Sequence, residues 1–346
     1  MEEIEKDNEH SGLSITLKLA SAPLSNFDFT SIKGEAVIQA MLNDSMLYVI
    51  AQRSELLFDN IKFVQEDFSL EFTIKMTGSE KSLKCKLPIA QEAFETDDLE
   101  TVEIKFGSHN KDWKADAFPV NNVNGMQFFD KQMNFRLWLS PDKFLYLHQK
   151  GLIQSQVNGD IREFMTYFVH YVGKATDQQI WRRLTGHATL QDILSLENPF
   201  NYGSLPTHEI FLLLFRVDDL LSVRTMGEDV DSFVAAMMGA SLPSSKDVSL
   251  DAEKLLIKLL DPEYNNKKFP NYPASSDGLH RYNIDDIVYH FAEDITLQYS
   301  ANEFYFSQNE IESDIILIKN QKEIEVTNNR KGIESTNTSF HRGKKV

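Results

Sequence analysis

An α+β fold is predicted for this chain by three observations. Short segments of alternating or continuous apolar residues recur through its first half, and two helical patterns follow after residue 176. Its 346 residues, 42% of them hydrophobic and 24 of them Phe, are enough for more than one core. The strand candidates come first. Leu13-Ser14-Ile15-Thr16-Leu17-Lys18-Leu19 alternates strictly, Met46 to Ala51 is an apolar run, and Phe68 to Ile74 alternates again. Val102 to Phe106 and Phe135 to Leu139 continue the pattern, with turn residues between. Residues 13–148 therefore read as a β-rich domain, a sandwich or barrel, behind an acidic, disordered segment of residues 1–12.

The next segment, residues 149–282, mixes strands and helices. Tyr171-Val172-Gly173-Lys174 reads as a strand end. Asp177 then opens an amphipathic pattern through Ile180, Leu184, Leu190, Ile193 and Leu194, which predicts one helix from Asp177 to Leu196. On such a helix Arg183 and His187 stand one turn apart on one face, with Gly186 between them at a cost of about 1 kcal/mol of helix propensity. A glycine there is expected where something approaches the backbone closely, and a solvated Arg and His on an exposed face is the other reading. A strand candidate at Glu209 to Val217, a helical run at Val230 to Met238 and a Pro-Ser-Ser loop follow.

After Ser249 a second helix is predicted from Asp251 to Leu260, stopped by Pro262. Leu256, Ile257 and Leu260 lie three, four and seven residues beyond Glu253, so that carboxylate shares the apolar side. Burial of a carboxylate calls for a partner cation, a metal or a raised pKa; the alternative is a half-exposed Glu in the first turn. Residues 283–327, with segments at Ile284 to Ala292, Glu303 to Phe306 and Asp314 to Lys319, form a C-terminal extension. Residues 328–346 read as a disordered tail made basic by Arg330, Lys331, Arg342, Lys344 and Lys345.

The formal net charge of −17 repels nucleic acid at long range, so any such binding needs a local basic cluster. Tyr264, Lys267, Lys268, Phe269, Tyr272, His280, Arg281 and Tyr282 interleave cations with aromatics in the manner that suits phosphate contacts and base stacking. The single Cys85 excludes an internal disulfide and a cysteine zinc site and fits a reducing compartment. Without a signal-peptide pattern or a long apolar span, a cytoplasmic protein with no membrane partner is expected. A phosphate-binding Gly-x-x-x-x-Gly-Lys, a Gly-x-Ser-x-Gly elbow and a His-Glu-x-x-His helix are all missing, which argues against nucleotide hydrolysis, serine hydrolase chemistry and zinc proteolysis.

Taken in order, Tyr171-Val172-Gly173-Lys174-Ala175, Arg183 with His187, Glu253 with Leu256-Ile257, and Pro262-Glu263-Tyr264-Asn265 resemble the motifs of the GIY-YIG nucleases over residues 150–270. In place of that family's first motif stands Gly151-Leu152-Ile153 before an Asn158-Gly159 turn, with Ile153 where a tyrosine is usual; Tyr146 and Tyr167 are other candidates for that tyrosine. The resemblance implies a small α/β nuclease domain at residues 149–282 and a metal-dependent endonuclease acting on nucleic acid, DNA before RNA. It assigns catalysis to Tyr171, Arg183, His187 and Glu253, with Glu253 holding one Mg²⁺ or Mn²⁺. Arg183 contacts the scissile phosphate and Tyr171 or His187 activates water, His being the better base near neutral pH. Gly173, Lys174, Arg182, Asn265, Lys267 and Lys268 are the expected substrate-binding set, and the β-rich domain would select substrate or a protein partner. The alternative is the same fold without catalysis, as a nucleic-acid- or protein-binding module.

Overall fold

The alternation of Leu13, Ile15, Leu17 and Leu19 makes β1 (Ser11–Leu19), whose odd positions are buried. The computed structural model describes residues 10–89, 102–110, 112–114, 117–224, 242–275, 277–282, 284–327 and 338–339. After β1 come β2 (Leu24–Ser25), α1 (Asn26–Ile32, capped by the Ser25 hydroxyl) and α2 (Ala36–Leu42). The apolar run at 46–51 becomes β3 (Leu47–Gln52), buried at every position because both its faces are covered. Two small sheets follow. One joins β4 (Leu56–Val64), β5 (Ser69–Met76), β6 (Ser82–Pro88) and later β10 (Gln156–Asn158); the other joins β7 (Glu103–Gly107), β8 (Gly125–Phe129) and β9 (Phe135–Leu139). Between β9 and β10 lies α3 (Pro141–Gln149).

The chain then returns to the first sheet with β11 (Thr166–Lys174). It continues through α4 (Ile180–Thr185), α5 (Ala188–Leu196), α6 (Pro206–Glu209), β12 (Ile210–Arg224) and α7 (Ser245–Leu260). The strands β13 (Asp286–Phe291), β14 (Ile295–Tyr299), β15 (Asn302–Phe306), β16 (Ile315–Lys319), β17 (Glu323–Thr327) and β18 (Thr338–Ser339) complete it. The result is one eleven-stranded mixed sheet in the order β15-β14-β11-β3-β12-β1-β13-β16-β17-β18, with β2 paired to β12. Only β1 with β13 and β11 with β14 run parallel; every other pair is antiparallel.

The α+β class holds, but the expected domain plan does not follow the chain. A boundary at residue 148 would separate β1 and β3 from β11 and β12, yet these four strands lie within one hydrogen-bonded sheet. The expected extension at 283–327 supplies five more strands of that sheet. Period-2 alternation assigns its two faces. Leu13, Ile15, Val49, Ala51, Val172, Leu213 and Phe215 share one core with Val248, Ala252, Leu255 and Leu259 of α7. On the other face Tyr48, Ile50, Leu212 and Leu214 pack with Phe29, Ile180, Leu184, Leu190 and Ile193 from α1, α4 and α5. Residues 1–9, the Val230 to Met238 helical run and Arg330, Lys331, Arg342, Lys344 and Lys345 of the tail lie outside the described residues. No helix among the described residues is long and apolar enough to cross a membrane.

Candidate functional site

The sequence motifs border the C-terminal end of β11, on both faces of the sheet. The neighbour of β11 is β3, antiparallel to it, and the register sets Gly173 directly beside Tyr48. A Cβ on Gly173 would lie 2.5 Å from Cζ and Oη of Tyr48 and 2.6 Å from Cε1 of Tyr171, so only glycine lets the Tyr48 ring cross the strand there. The two tyrosine rings stand side by side, centroids 6.1 Å apart, and both lie edge-on to His187, at 5.6 and 5.2 Å. Arg183 joins them from α4, its guanidinium interacting with the hydroxyls of Tyr48 and Tyr171. Among the described residues Arg183 has no carboxylate partner. Tyr48, Tyr171, Arg183 and His187 are thus one cluster.

Gly151-Leu152-Ile153 has no part in it. That segment leaves α3 as an irregular turn with Leu152 exposed, and the Asn158-Gly159 corner belongs to the four-stranded sheet. Tyr146 lies on α3; Tyr167 is on β11 but belongs to the opposite core. The tyrosine paired with Tyr171 is Tyr48, separated from it in sequence by residues 53–165, whose described residues include the two small sheets and α3. The signal that could have found it is local: Met46-Leu47-Tyr48-Val49 is an apolar strand carrying one tyrosine.

Two helices replace the one expected from Asp177 to Leu196. Residue Gln179 caps α4, which ends at Gly186, and His187 caps α5. His187 Nδ1 accepts from the Leu190 backbone N–H at 3.0 Å, so the proton of the neutral ring sits on Nε2 and donates to Tyr48 Oη at 2.7 Å. Burial, with the nearby Arg183 charge, pulls its pKa down to about 4. With one nitrogen committed to a helix cap and the other already carrying a proton, His187 has no lone pair free to take one from water. The expected role of His187 as general base is therefore corrected: it anchors Tyr48. A Cβ at Gly186 would meet nothing within 4 Å, so packing does not demand the glycine; it lies where the helix breaks.

Glu253 lies on the other side of the strand end. The α7 helix begins at Ser245 under a Ser244 cap, earlier than expected, which places Glu253 mid-helix and 8% exposed rather than in a first turn. Its Oε2 lies 2.8 Å from Lys174 Nζ, an ion pair without a hydrogen bond of good angle. Burial pushes the Glu253 carboxyl above its ordinary range, opposed by Lys174, Lys254 and Lys267. Lys174 follows Gly173, so the Tyr48–Tyr171–Arg183–His187 cluster and the Lys174–Glu253 pair flank the last residues of β11 from opposite faces of the sheet. Glu253 does not touch Arg183 or His187.

Asn265 closes the edge of the sheet. Beyond Phe168, β11 no longer pairs with β14, and the Asn265 side chain takes that place. Its Oδ1 accepts from the Val172 N–H at 2.9 Å and its Nδ2 donates to the Val172 carbonyl at 2.8 Å. It braces the motif strand.

The aromatic–basic cluster is mostly occupied with structure. Tyr264 donates to Glu197, Tyr272 to Asp251 and Tyr282 to Asp247, each at 2.7 Å, and Arg281 is paired with Asp247. Lys267 lies over the Phe269 ring, and Lys268 pairs with Asp261 at 2.9 Å. Lys267, Lys268, Phe269 and Tyr272, with Lys254 and Pro270, border a surface cavity of about 510 Å³. Arg182 is exposed and rests on Trp181.

A divalent ion at Glu253 finds one buried carboxylate oxygen with no hydrogen bond and an ammonium as its counter-charge. The donor set fits a hydrated Mg²⁺ or Mn²⁺ held by a single protein oxygen, provided the half-exposed Lys174 swings aside. No family model matches the chain, and no curated protein or solved structure matches it either.

Proposed function

We propose that this protein is a metal-dependent endonuclease of the GIY-YIG kind, cleaving phosphodiester bonds in nucleic acid, DNA before RNA, with Tyr48 as its first-motif tyrosine. The observation that supports this reading is the adjacency of Tyr48 and Tyr171 on antiparallel strands with Arg183 against both; the Lys174–Glu253 pair borders the same strand end from the other face of the sheet. A half-buried guanidinium held by two hydroxyls and lacking a carboxylate suits a non-bridging phosphate oxygen, whose charge grows during cleavage. In this reading the Tyr171 hydroxyl orients the attacking water, while Tyr48, fixed by His187, sets the position of Tyr171 and Arg183. Glu253 would hold the divalent ion, which would supply charge to polarise a phosphate; because Glu253 and Arg183 lie on opposite faces, a phosphate meeting both must do so around the end of β11. Lys174, released from Glu253 by that ion, is placed to meet the substrate. The small sheets between β3 and β11 are the natural place to select substrate or partner.

The binding-module alternative draws on one observation: the Lys174 ammonium sits where the ion would. The two readings separate on one assay. Plasmid and single-stranded DNA are incubated with the full chain, with Mg²⁺ or Mn²⁺ and with chelator. Cleavage that needs the ion and disappears in Arg183→Ala supports the nuclease; DNA retention without cleavage in either metal supports the binding module.

A further inference from the structure

Away from this site, three residues remote in sequence bring metal-ligating atoms together. Glu55 stands just before β4, His109 just after β7, and His208 in α6, so one adjoins each small sheet and one lies in the helix that leads into β12. Glu55 Oε1 lies 2.6 Å from His109 Nδ1 and 3.7 Å from His208 Nδ1, and one ligand atom of each residue falls within 4.8 Å of the others. The two imidazoles stack with centroids 3.9 Å apart, and Phe27 lies against both, at 4.3 and 5.0 Å. Asn124 holds the arrangement: its Nδ2 donates to Glu55 Oε1 at 2.8 Å and its Oδ1 accepts from the His109 N–H at 2.8 Å. Such outer support is what fixes the ligands of a metal.

We infer that Glu55, His109 and His208 form a binding site for one divalent transition-metal ion of the zinc class, separate from the proposed magnesium site and independent of the nuclease reading. Among the described residues neither ring nitrogen of His208 has a hydrogen bond, yet its Nδ1 points to a carboxylate oxygen already engaged by His109. A cation seated between these atoms would be ligated by all three residues at once. Two imidazoles with one carboxylate are the donors zinc prefers and magnesium does not, at bond lengths of about 2.0–2.2 Å. Ligand atoms around a tetrahedral ion stand roughly 3.3–3.5 Å apart on those bond lengths, and the present 2.6 and 3.7 Å bracket that spacing. An ion there would tie α6 to both small sheets.

The test strips the full chain with a chelator and titrates it with ZnCl₂ in excess Mg²⁺, so that Glu253 is not what is being filled. One Zn²⁺ per chain should bind, with a saturable rise in Tm; Co²⁺ in its place should give the intense visible bands of a tetrahedral N/O site. His208→Ala and Glu55→Gln should each weaken binding by about 100-fold, while His148→Ala, which alters a histidine on α3, leaves it unchanged. Glu55→Gln keeps the bond to Asn124 and serves if His208→Ala does not fold. Absence of saturable Zn²⁺ binding, or undiminished binding in Glu55→Gln, overturns the inference.

Discussion

Substituting Gly173 by alanine tests the close approach that builds the candidate site. The new methyl would stand 2.5 Å from two atoms of the fully buried Tyr48 and 2.6 Å from Tyr171, well inside van der Waals contact. Tyr48 cannot retreat easily, since its ring is wedged between Gly173 and Leu214 and its hydroxyl is tied to His187. Overpacking of this kind costs about 1–3 kcal/mol, reduced by the roughly 0.5–1 kcal/mol that alanine recovers in strand entropy. Thermal unfolding of Gly173→Ala should therefore fall by several degrees, and cleavage should fall further because Tyr48 is displaced from Arg183. The decisive arm is Tyr48→Val, which deletes two of the three close atoms and leaves Tyr171 Cε1. In that background Gly173→Ala should cost clearly less, a coupling of about 1–3 kcal/mol between neighbours. If the alanine costs the same in both backgrounds, the reasoning that glycine is there to admit Tyr48 is refuted.

Three further outcomes are expected. Glu253→Gln should abolish metal-dependent cleavage while leaving Tm within a few degrees of wild type; retained cleavage would remove Glu253 from the mechanism. His187 carries an acid-sensitive penalty: with its pKa held near 4 in the folded chain against about 6.5 unfolded, stability declines as pH falls from about 6.5 to 4 and the loss is complete below that, at most ~3 kcal/mol. His187→Asn, which keeps a capping side chain, should flatten that part of the stability–pH curve, and an unchanged slope would locate the titration elsewhere. DNA retention in gel shifts should decline steeply with salt, and Lys267→Ala with Lys268→Ala should lower the salt slope by roughly one to two; binding insensitive to salt would point away from phosphate contacts.

What the sequence disclosed was local. Alternation placed β1, β5, β7 and β9 and the Tyr-Val-Gly strand end, whereas the Arg183 and Glu253 helices exist with other bounds: the first is split in two and the second begins at Ser245. Pairing across long intervals was not legible. The partner of Tyr171 is Tyr48, and an intervening pair of small sheets hides any hairpin signal between them. The helix break at His187 was missed because apolar spacing continues across it; only the capping geometry reveals that the imidazole serves the Leu190 N–H. The aromatic–basic cluster misled for a related reason. Tyr264, Tyr272 and Tyr282 read as stacking surfaces in one dimension, whereas carboxylates from distant segments claim their hydroxyls in three. The Glu55–His109–His208 group had no sequence signature, since its members belong to three separate elements.

The position of β1 governs how this molecule is made. It lies in the interior of the large sheet between β12 and β13, pairing Ser11 with Arg224 on one side and Gly12 with Asp286 on the other. Both partners of β1 are therefore made roughly 200 or more residues after it, and the loops that close these pairings are long and slow to form. A fragment cut at the motif boundaries, residues 149–282, would carry β11 and β12 without the β3 that joins them and without β1. Such a piece would present bare strand edges, a template for self-association rather than a working site. Assays of this protein belong to the full-length chain, and its expression should respond to chaperone supply more than to changes at the surface.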